Sequence, residues 1–143
     1  MSKKKKILLA VFGTGLLILL VFLNLVIGPR VVIRGEIGCL GDSLKSDEDR
    51  YEWRFSDLFQ TYYKASRELS EAQWNTLRET MTEDRWNVHV EDGAEEYSRV
   101  NKVKCFFVSY FCHEKITKRM KGNIVFLEIS IVVNNQFEEK QRK

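Results

Sequence analysis

The sequence predicts an α+β, β-rich protein in which one N-terminal transmembrane helix precedes a small antiparallel sheet with one amphipathic helix. Three features lead to this prediction. Residues 7–27 contain no charged side chain, residues 70–73 form a helix-capping sequence, and the last third of the chain contains two apolar, strand-like runs of ten residues. These features are typical of a membrane span, an amphipathic helix and half-buried strands, respectively.

The N-terminal segment has the length and flanking charge of a membrane span. A hydrocarbon core about 30 Å thick needs roughly 20 apolar helical residues, and the run Ile7 to Ile27 has 21. Lysines occupy positions 3–6, and basic residues favour the cytoplasmic side of a bilayer. We therefore expect residues 1–6 to be a cytoplasmic tail and residues 7–27 a transmembrane helix.

A cleaved signal peptide is the alternative interpretation of this segment. Its apolar core is usually about 7–15 residues long and is followed by small residues at the cleavage site. Here the run is longer and ends in Ile27-Gly28-Pro29, without an Ala-x-Ala pattern. A lipid-modified Cys39 is disfavoured because Arg30, Arg34 and Glu36 separate it from the apolar run. The sequence therefore favours an uncleaved anchor.

The remaining chain is predicted to form one extracytoplasmic domain, residues 30–135, with a polar tail at 136–143. Residues 30–143 carry 19 basic and 20 acidic side chains, so the domain is nearly neutral. Without a strong basic field, nucleic acid is not an expected partner. Six cytoplasmic residues are too few for a folded activity, so we expect the function to lie in the extracytoplasmic domain.

The first half of this domain shows mostly strand patterns. Residues 30–37 are rich in β-branched side chains and predict a strand, and residues 41–50 predict a charged loop. Tyr51, Trp53 and Phe55 alternate with polar residues, as in a half-buried strand. Residues 58–65 would return as the second strand of a hairpin, although a helix over 57–66 is an alternative.

The next segment carries an explicit helix start. Ser70 and Gln73 have the spacing of a capping box, and Leu69 and Trp74 that of a hydrophobic staple. An amphipathic helix is therefore predicted from Ser70 to about Asp84. Period-two alternation at 86–90 then predicts a strand, and the dipeptide at 92–93 predicts a turn.

The C-terminal third predicts a long antiparallel hairpin of strands 103–112 and 124–133, joined by a polar connection over 114–122. On the second strand Glu128 and Ser130 lie on one face, and the opposite face is entirely apolar: Val125, Leu127, Ile129, Ile131 and Val133. The first strand is apolar on both faces, so either the helix covers its second face or that face contacts a partner or ligand. The candidate interface residues on this strand are Phe106, Val108 and Tyr110.

Three cysteines outside the membrane suggest an oxidising compartment. Seven residues of strand separate Cys105 from Cys112 by about 23 Å, which is too far for a disulfide. We therefore expect Cys39 to pair with Cys105 or Cys112, and the sequence leaves this choice open. Three free thiols are the other alternative.

The search for catalytic chemistry yields little. His89 and His113 are the only histidines, and the sequence lacks phosphate-binding, nucleophile-elbow and paired-cysteine zinc motifs. We therefore predict a protein that is not an enzyme, with no catalytic residue, no metal site and no cofactor.

The layout resembles that of the ToxS-type companions of membrane-bound transcription regulators, which include VtrC, PsaF and MyfF. The matching features are the basic tail at 3–6, the span 7–27 and a small β-rich domain with its central helix at 70–84 and strands 103–112 and 124–133. The resemblance implies a ToxR-like single-span partner whose periplasmic domain the companion binds and stabilises. It also implies a partial lipocalin-like barrel completed by both chains, with an apolar ligand inside.

Two further functions compete with this one. The protein could be a small anchored structural subunit of a bacterial envelope or secretion complex. It could also bind an apolar small molecule alone, through the aromatic residues Tyr51, Trp53, Phe55, Phe106 and Tyr110.

Overall fold

The computed structural model describes residues 2–41, 44, 50–54, 57–105 and 108–134. Its helices are α1 (Lys3–Phe22), α2 (Gly28–Leu40) and α3 (Glu71–Glu83). Its strands are β1 (Arg50–Arg54), β2 (Asp57–Leu69), β3 (Asn87–Glu91), β4 (Ala94–Cys105), β5 (Val108–Lys121) and β6 (Ile124–Asn134). All six strands form one antiparallel open sheet in the order β1-β2-β6-β5-β4-β3, which confirms the predicted α+β class.

The N-terminal helix is much longer than a membrane span. Together with a π-helical turn at Leu23–Ile27, α1 and α2 form one continuous helix of 38 residues, Lys3–Leu40. By length and composition it is able to cross a membrane, and α1 is exposed along its whole length. The polar side chain of Thr14 donates to the carbonyl of Ala10 at 2.8 Å, so it is satisfied inside the helix.

The π-helical turn accommodates the single proline. Pro29 has no backbone N–H, and its ring crowds the carbonyl four residues earlier, so an ordinary α-helix would be strained there. Immediately before it, the N–H of Gly28 donates to the carbonyl of Leu23, five residues back. The widened turn keeps the helix continuous across the proline.

The predicted strand over residues 30–37 is wrong, because these residues lie in α2. The buried side chains of α2 recur on one helical face: Pro29, Val32, Ile33, Glu36, Ile37 and Leu40. This face packs on β2, β4, β5 and β6. The β-branched residues favour a strand locally, but tertiary packing and continuity with α1 override that propensity.

The first hairpin of the sheet is as predicted. Strand β1 pairs antiparallel with β2, and Tyr51 lies opposite Tyr63. The strand alternative for 58–65 is confirmed, and the helix alternative over 57–66 is wrong. Most of the predicted loop 41–50 lies outside the described residues. Strand β2 also pairs with β6 from Gln60 to Leu69 and therefore connects the hairpin to the C-terminal strands.

Helix α3 confirms the capping prediction. The Ser70 hydroxyl accepts from the backbone N–H of Gln73 at 3.2 Å, and the Gln73 side chain accepts from the Ser70 N–H at 3.0 Å. The buried face of α3 consists of Trp74, Leu77 and Met81. The predicted turn at Asp92 and Gly93 is also confirmed, with φ values of 50° and 75°.

The predicted strand 103–112 is wrong as a single element. Strand β4 ends at Cys105 and β5 begins at Val108, with these two residues opposite each other across a hairpin. The predicted polar connection 114–122 is instead the second half of β5, which pairs with β6 through Lys121. Strand β4 begins earlier and strand β5 ends later than the predicted strand 103–112. Charged residues on the outer face of the sheet interrupt the apolar pattern there without ending either strand.

The core lies between the sheet and helices α2 and α3. The predicted inner face of β6 is fully buried: Val125, Leu127, Ile129, Ile131 and Val133. Glu128 on the opposite face is exposed. The sheet therefore has one covered face, called here the helix-covered face, and one outer face.

At Gly28 the long helix lies too close to Tyr110 of the sheet to accommodate a side chain. A Cβ atom there would lie 2.2 Å from the Tyr110 hydroxyl oxygen and 2.9 Å from its Cζ. We therefore expect Gly28→Ala to lower the free energy of unfolding by about 1–3 kcal/mol, through overpacking. Chemical denaturation of the full chain in detergent micelles measures this change.

Gly35 is the matched control on the same helix. No atom lies within 4 Å of the position its Cβ would occupy. Because alanine has the higher helix propensity, Gly35→Ala should raise the free energy of unfolding by about 0.5–1 kcal/mol. Equal effects of the two substitutions would contradict a close contact between Gly28 and Tyr110.

Candidate functional site

A cluster of charged side chains lies where α2 crosses the helix-covered face of the sheet. Arg99 on β4 is at its centre. Its Nη2 donates to Glu36 Oε2 at 2.7 Å, its Nε donates to Glu114 Oε2, and its Nη1 lies 3.4 Å from Asp84 Oδ2. Asn101 donates from Nδ2 to Glu36 Oε1 at 3.0 Å. One guanidinium thus joins α2, β5 and the C-terminal end of α3.

The cluster contains more negative than positive charge, and it is buried. Glu36 is 7% exposed and Glu114 is 2% exposed. Oε1 of Glu114 has no hydrogen-bond partner among the described residues. The pKa of Glu114 is raised to about 8, mainly by burial; the charge of Glu36 contributes to this increase, and the hydrogen bond from Arg99 opposes it. Glu114 is therefore the carboxyl group that holds a proton near neutral pH.

Other groups enclose the cluster. The Arg99 guanidinium lies 4.6 Å from the centroid of the Trp86 ring, an arrangement in which an aromatic face attracts a cation. Cys112 is buried beside it, and burial raises the pKa of its thiol, with Glu36 and Glu114 adding to the increase. The cluster can therefore join α2 to the sheet and bind a proton out of contact with solvent.

Sequence reasoning missed this cluster, although one signal was available. Tyr110, Cys112, Glu114 and Ile116 occupy alternate positions along β5, and all four are buried. A glutamate on the apolar face of a strand indicates a buried partner of opposite charge. The prediction ended the strand at residue 112, before that glutamate.

The predicted interface residues that can be located lie in or against the core. Tyr110 is fully buried, and its hydroxyl donates to the backbone oxygen of Asn24 at 2.9 Å. Val108 is half-buried and packs against the core. The Tyr51 ring is half-buried, with its centroid 5.2 Å from that of Tyr63. Tyr51 and Tyr110 therefore pack within the domain.

Three predicted residues cannot be placed in the same way. The backbone of Trp53 belongs to β1, opposite Thr61. The side chain of Trp53, and Phe55 and Phe106 entirely, lie outside the described residues. Their role at an interface stays a prediction.

The cysteines are free thiols, so the structure does not contain the predicted disulfide of Cys39 with Cys105 or Cys112. Cys39 lies on the exposed face of α2, which points away from the sheet. Cys112 is buried on the helix-covered face, and Cys105 is half-buried near the end of β4. A bond from Cys39 would require α2 to rotate and expose its apolar face.

Strand β3 forms a free edge of the sheet. All five of its residues are exposed, and within the described chain it pairs only with β4. Val88 is 56% exposed and Val90 is 65% exposed. His89 and Glu91 share the other face, with 3.4 Å between Nε2 and Oε2. No group of three metal-ligating side chains occurs among the residues that the structure describes.

Two open clefts lie on the outer face of the sheet, with volumes of about 860 and 720 Å³. Both are bordered by Lys115, Thr117 and Glu128. Lys115 also lies 3.3 Å from Glu96, measured from Nζ to Oε2. These clefts are mainly polar, so their chemistry suits solvent or polar groups rather than an apolar ligand.

No protein-family model, curated protein or solved structure matches this chain. The resemblance to ToxS-type companions therefore stays a proposal, and the geometry of the chain itself has to support any function.

Arg99 should be essential to the stability of the domain. Replacing it with methionine leaves Glu36 buried without its cation and Glu114 without its hydrogen-bond donor, so we expect a loss of about 3–5 kcal/mol in the free energy of unfolding. Adding Glu36→Gln and Glu114→Gln to this variant should restore part of the loss. Arg119→Met, at an exposed position of β5, is the control and should change stability by about 0.5 kcal/mol or less. Equal losses for both arginines would contradict the role of the cluster.

Glu114 should make the stability depend on pH. Its pKa is about 8 in the folded protein, above its ordinary value of 4.5, so the folded protein keeps a proton that the unfolded chain releases. The free energy of unfolding should therefore fall as the pH rises from about 5 to about 8. Denaturation across this range should show a weaker fall for Glu114→Gln. Glu128→Gln controls for removal of one surface acid, and an unchanged profile in Glu114→Gln would contradict the assignment.

Proposed function

We propose that this protein is a non-enzymatic accessory protein of the bacterial inner membrane. Its N-terminus lies in the cytoplasm, and its sheet domain lies in the periplasm, where it binds and stabilises the periplasmic domain of a single-span transcription regulator. The observation that carries this proposal is the free edge strand β3, with two exposed valines, in a domain continuous with an apolar helix.

The continuity of the helix supports an uncleaved anchor. Signal peptidase cuts just after the apolar segment of a signal peptide, which here would fall within the continuous helix that leads into α2. Val32 and Ile33 of α2 are buried in the core of the domain. Asn24, inside the apolar run, is hydrogen-bonded to Tyr110 of the sheet. Removal of the apolar segment would therefore break contacts that belong to the folded domain.

The free edge supports partner binding through strand addition. An edge strand presents unpaired backbone N–H and C=O groups, which can hydrogen-bond to an added strand. Val88 lies opposite Tyr97 in the register, so both valines face the helix-covered side. Each valine would lose its water-exposed surface if the partner strand and its neighbouring residues covered that side.

The position of β3 suits a partner anchored in the same membrane. Asn87 lies opposite Ser98 on β4, and seven residues of strand, about 23 Å, separate Ser98 from Cys105. Cys105 lies at the end of the sheet that packs on the apolar run. A second single-span protein with a folded periplasmic domain could reach this height beside the anchor.

The open sheet and its free edge support some of the other candidate functions more than others. The open sheet suits a jointly completed barrel, because a partner strand on β3 would extend it, and such a barrel could enclose an apolar ligand as a joint sensor. An anchored structural subunit would use the same free edge. Stand-alone binding of an apolar molecule has less support, because the two outer clefts are polar.

Site-specific photocrosslinking tests the proposed partner. A photoreactive residue is placed at Val90 in the full-length protein and expressed in native membranes. We expect a crosslink to a protein with one span and a cytoplasmic winged-helix domain, identified by mass spectrometry. Val90→Lys should reduce recovery of that protein at least about tenfold, because it places a charge in the contact.

Val100 provides the matched control. It is 60% exposed, similar to Val90, but it lies on the outer face of the interior strand β4. A crosslink at Val90 and not at Val100 supports the proposal. Products at both positions, no product at Val90, or a Val90 product that is a subunit of an envelope or secretion complex would each contradict it.

A further inference from the structure

The exposed part of the apolar helix is shorter than the thickness of a bilayer's hydrocarbon core. Residues 7–22 lie in α1 and are exposed, and 16 helical residues span only about 24 Å. A typical hydrocarbon core is about 30 Å thick. The five residues that complete the run, Leu23–Ile27, are half-buried. The last part of the span is therefore shared between lipid and the sheet domain.

These five residues pack against one end of the sheet. The Tyr110 hydroxyl donates to the backbone oxygen of Asn24 at 2.9 Å and lies 3.3 Å from Asn24 Oδ1. Tyr110 is two residues from Val108, where β5 begins, and Val108 lies opposite Cys105, where β4 ends. The β4–β5 end of the sheet is therefore level with the last apolar turn of the helix.

We propose that this end of the sheet, carried by Cys105 and Val108, is a contact surface for the lipid bilayer at the level of the headgroups and the first acyl carbons. The inference rests on the anchor of the proposed function and does not depend on the regulator partner. It assigns to the domain a second membrane contact in addition to the helix.

The side chains at this end suit such an environment. Cys105, Val103 and Val108 are half-buried apolar residues on or beside the core. Lys102 and Lys104 are exposed on the outer face of the same strand. Lysines with long apolar stems place their ammonium groups at the headgroups, and aromatic residues are enriched at the same depth.

One more contact agrees with this assignment. The Lys102 ammonium lies 5.7 Å from the centroid of the Phe111 ring. The pair thus combines a cation with an aromatic ring, the two side-chain types that frequently flank membrane spans. Anionic lipid headgroups would attract the ammonium groups of Lys102 and Lys104.

The contact would orient the domain. If the Cys105 and Val108 end lies at the bilayer, the turn at Gly122 and Asn123 lies at the opposite end of β5. Thirteen residues of strand separate Val108 from Lys121, or about 43 Å. The sheet would then stand away from the membrane, with Asn123 in water.

Depth-dependent fluorescence quenching tests the inference on the full-length protein, purified without any partner and reconstituted in phosphatidylcholine–phosphatidylglycerol vesicles. An environment-sensitive probe is attached at Val108→Cys or at Asn123→Cys, in a Cys39→Ser, Cys105→Ser background. Cys112 is retained because it is buried. With a nitroxide near the lipid headgroup, we expect quenching of the Val108 probe to exceed that of the Asn123 probe at least about threefold.

Two further labelled variants distinguish failure of this inference from failure of the helix to insert in the membrane. Labelling the native Cys105 in a Cys39→Ser protein repeats the measurement without a new residue in the strand. A probe at Leu17→Cys reports insertion of the anchor, through quenching by a nitroxide deep in the acyl chain. Quenching at Leu17 together with Val108 and Cys105 supports the inference. Quenching at Leu17 alone overturns it and leaves the anchor intact, whereas no quenching at Leu17 overturns the anchor and the inference together.

Discussion

The long helix is the constraint on which the arrangement of the molecule depends, because the same helix supplies the apolar span and part of the domain core. Polar contacts join it to the sheet at two levels along its axis. Asn24 accepts a hydrogen bond from Tyr110, and Glu36 pairs with Arg99. These contacts are 12 residues apart, about 18 Å along the axis. Rotation of the helix about its axis would break both contacts and expose the apolar side chains between them, so the helix and the sheet are expected to move together.

The contact at Glu36 specifies geometry more than it adds stability. Replacing a buried ion pair by apolar side chains is often neutral or stabilising, whereas removing one partner is strongly destabilising. Arg99 satisfies carboxylates from three separate elements, and a helix shifted by one turn would leave charges buried and unpaired. The proton on Glu114 limits the excess negative charge of this cluster. The arrangement therefore sets the register of α2 on the sheet. The π-helical turn before Pro29 keeps α2 continuous with the apolar helix α1 while α2 holds that register.

The elements that the sequence predicted correctly are those with local signals. Helix α3 has a capping box, and β6 is a continuous run rich in β-branched residues with Glu128 and Ser130 on one face, so each could be identified without its neighbours. Helix α2 could not be identified from the sequence, because its β-branched residues favour a strand and only its packing on the sheet shows which face is buried. The boundary between β4 and β5 was missed because the sequence there has no glycine, proline or asparagine to mark it. The charged cluster was missed because Arg99 and Glu114 are paired by sheet register and Glu36 reaches them only through α2, which no local pattern shows.

In the proposed complex, the short edge strand would depend on the membrane anchor to act as a binding surface. Strand β3 has five residues, so an added strand would form few hydrogen bonds, each contributing about 0.5–1.5 kcal/mol net. Such an interaction between free domains would be weak, with a dissociation constant near the micromolar to millimolar range. Anchoring both proteins in one membrane raises their effective concentration toward the millimolar range. The length of the helix and its rigid attachment to the sheet would then contribute to affinity as directly as Val88 and Val90, because they hold the edge at a fixed height beside the bilayer.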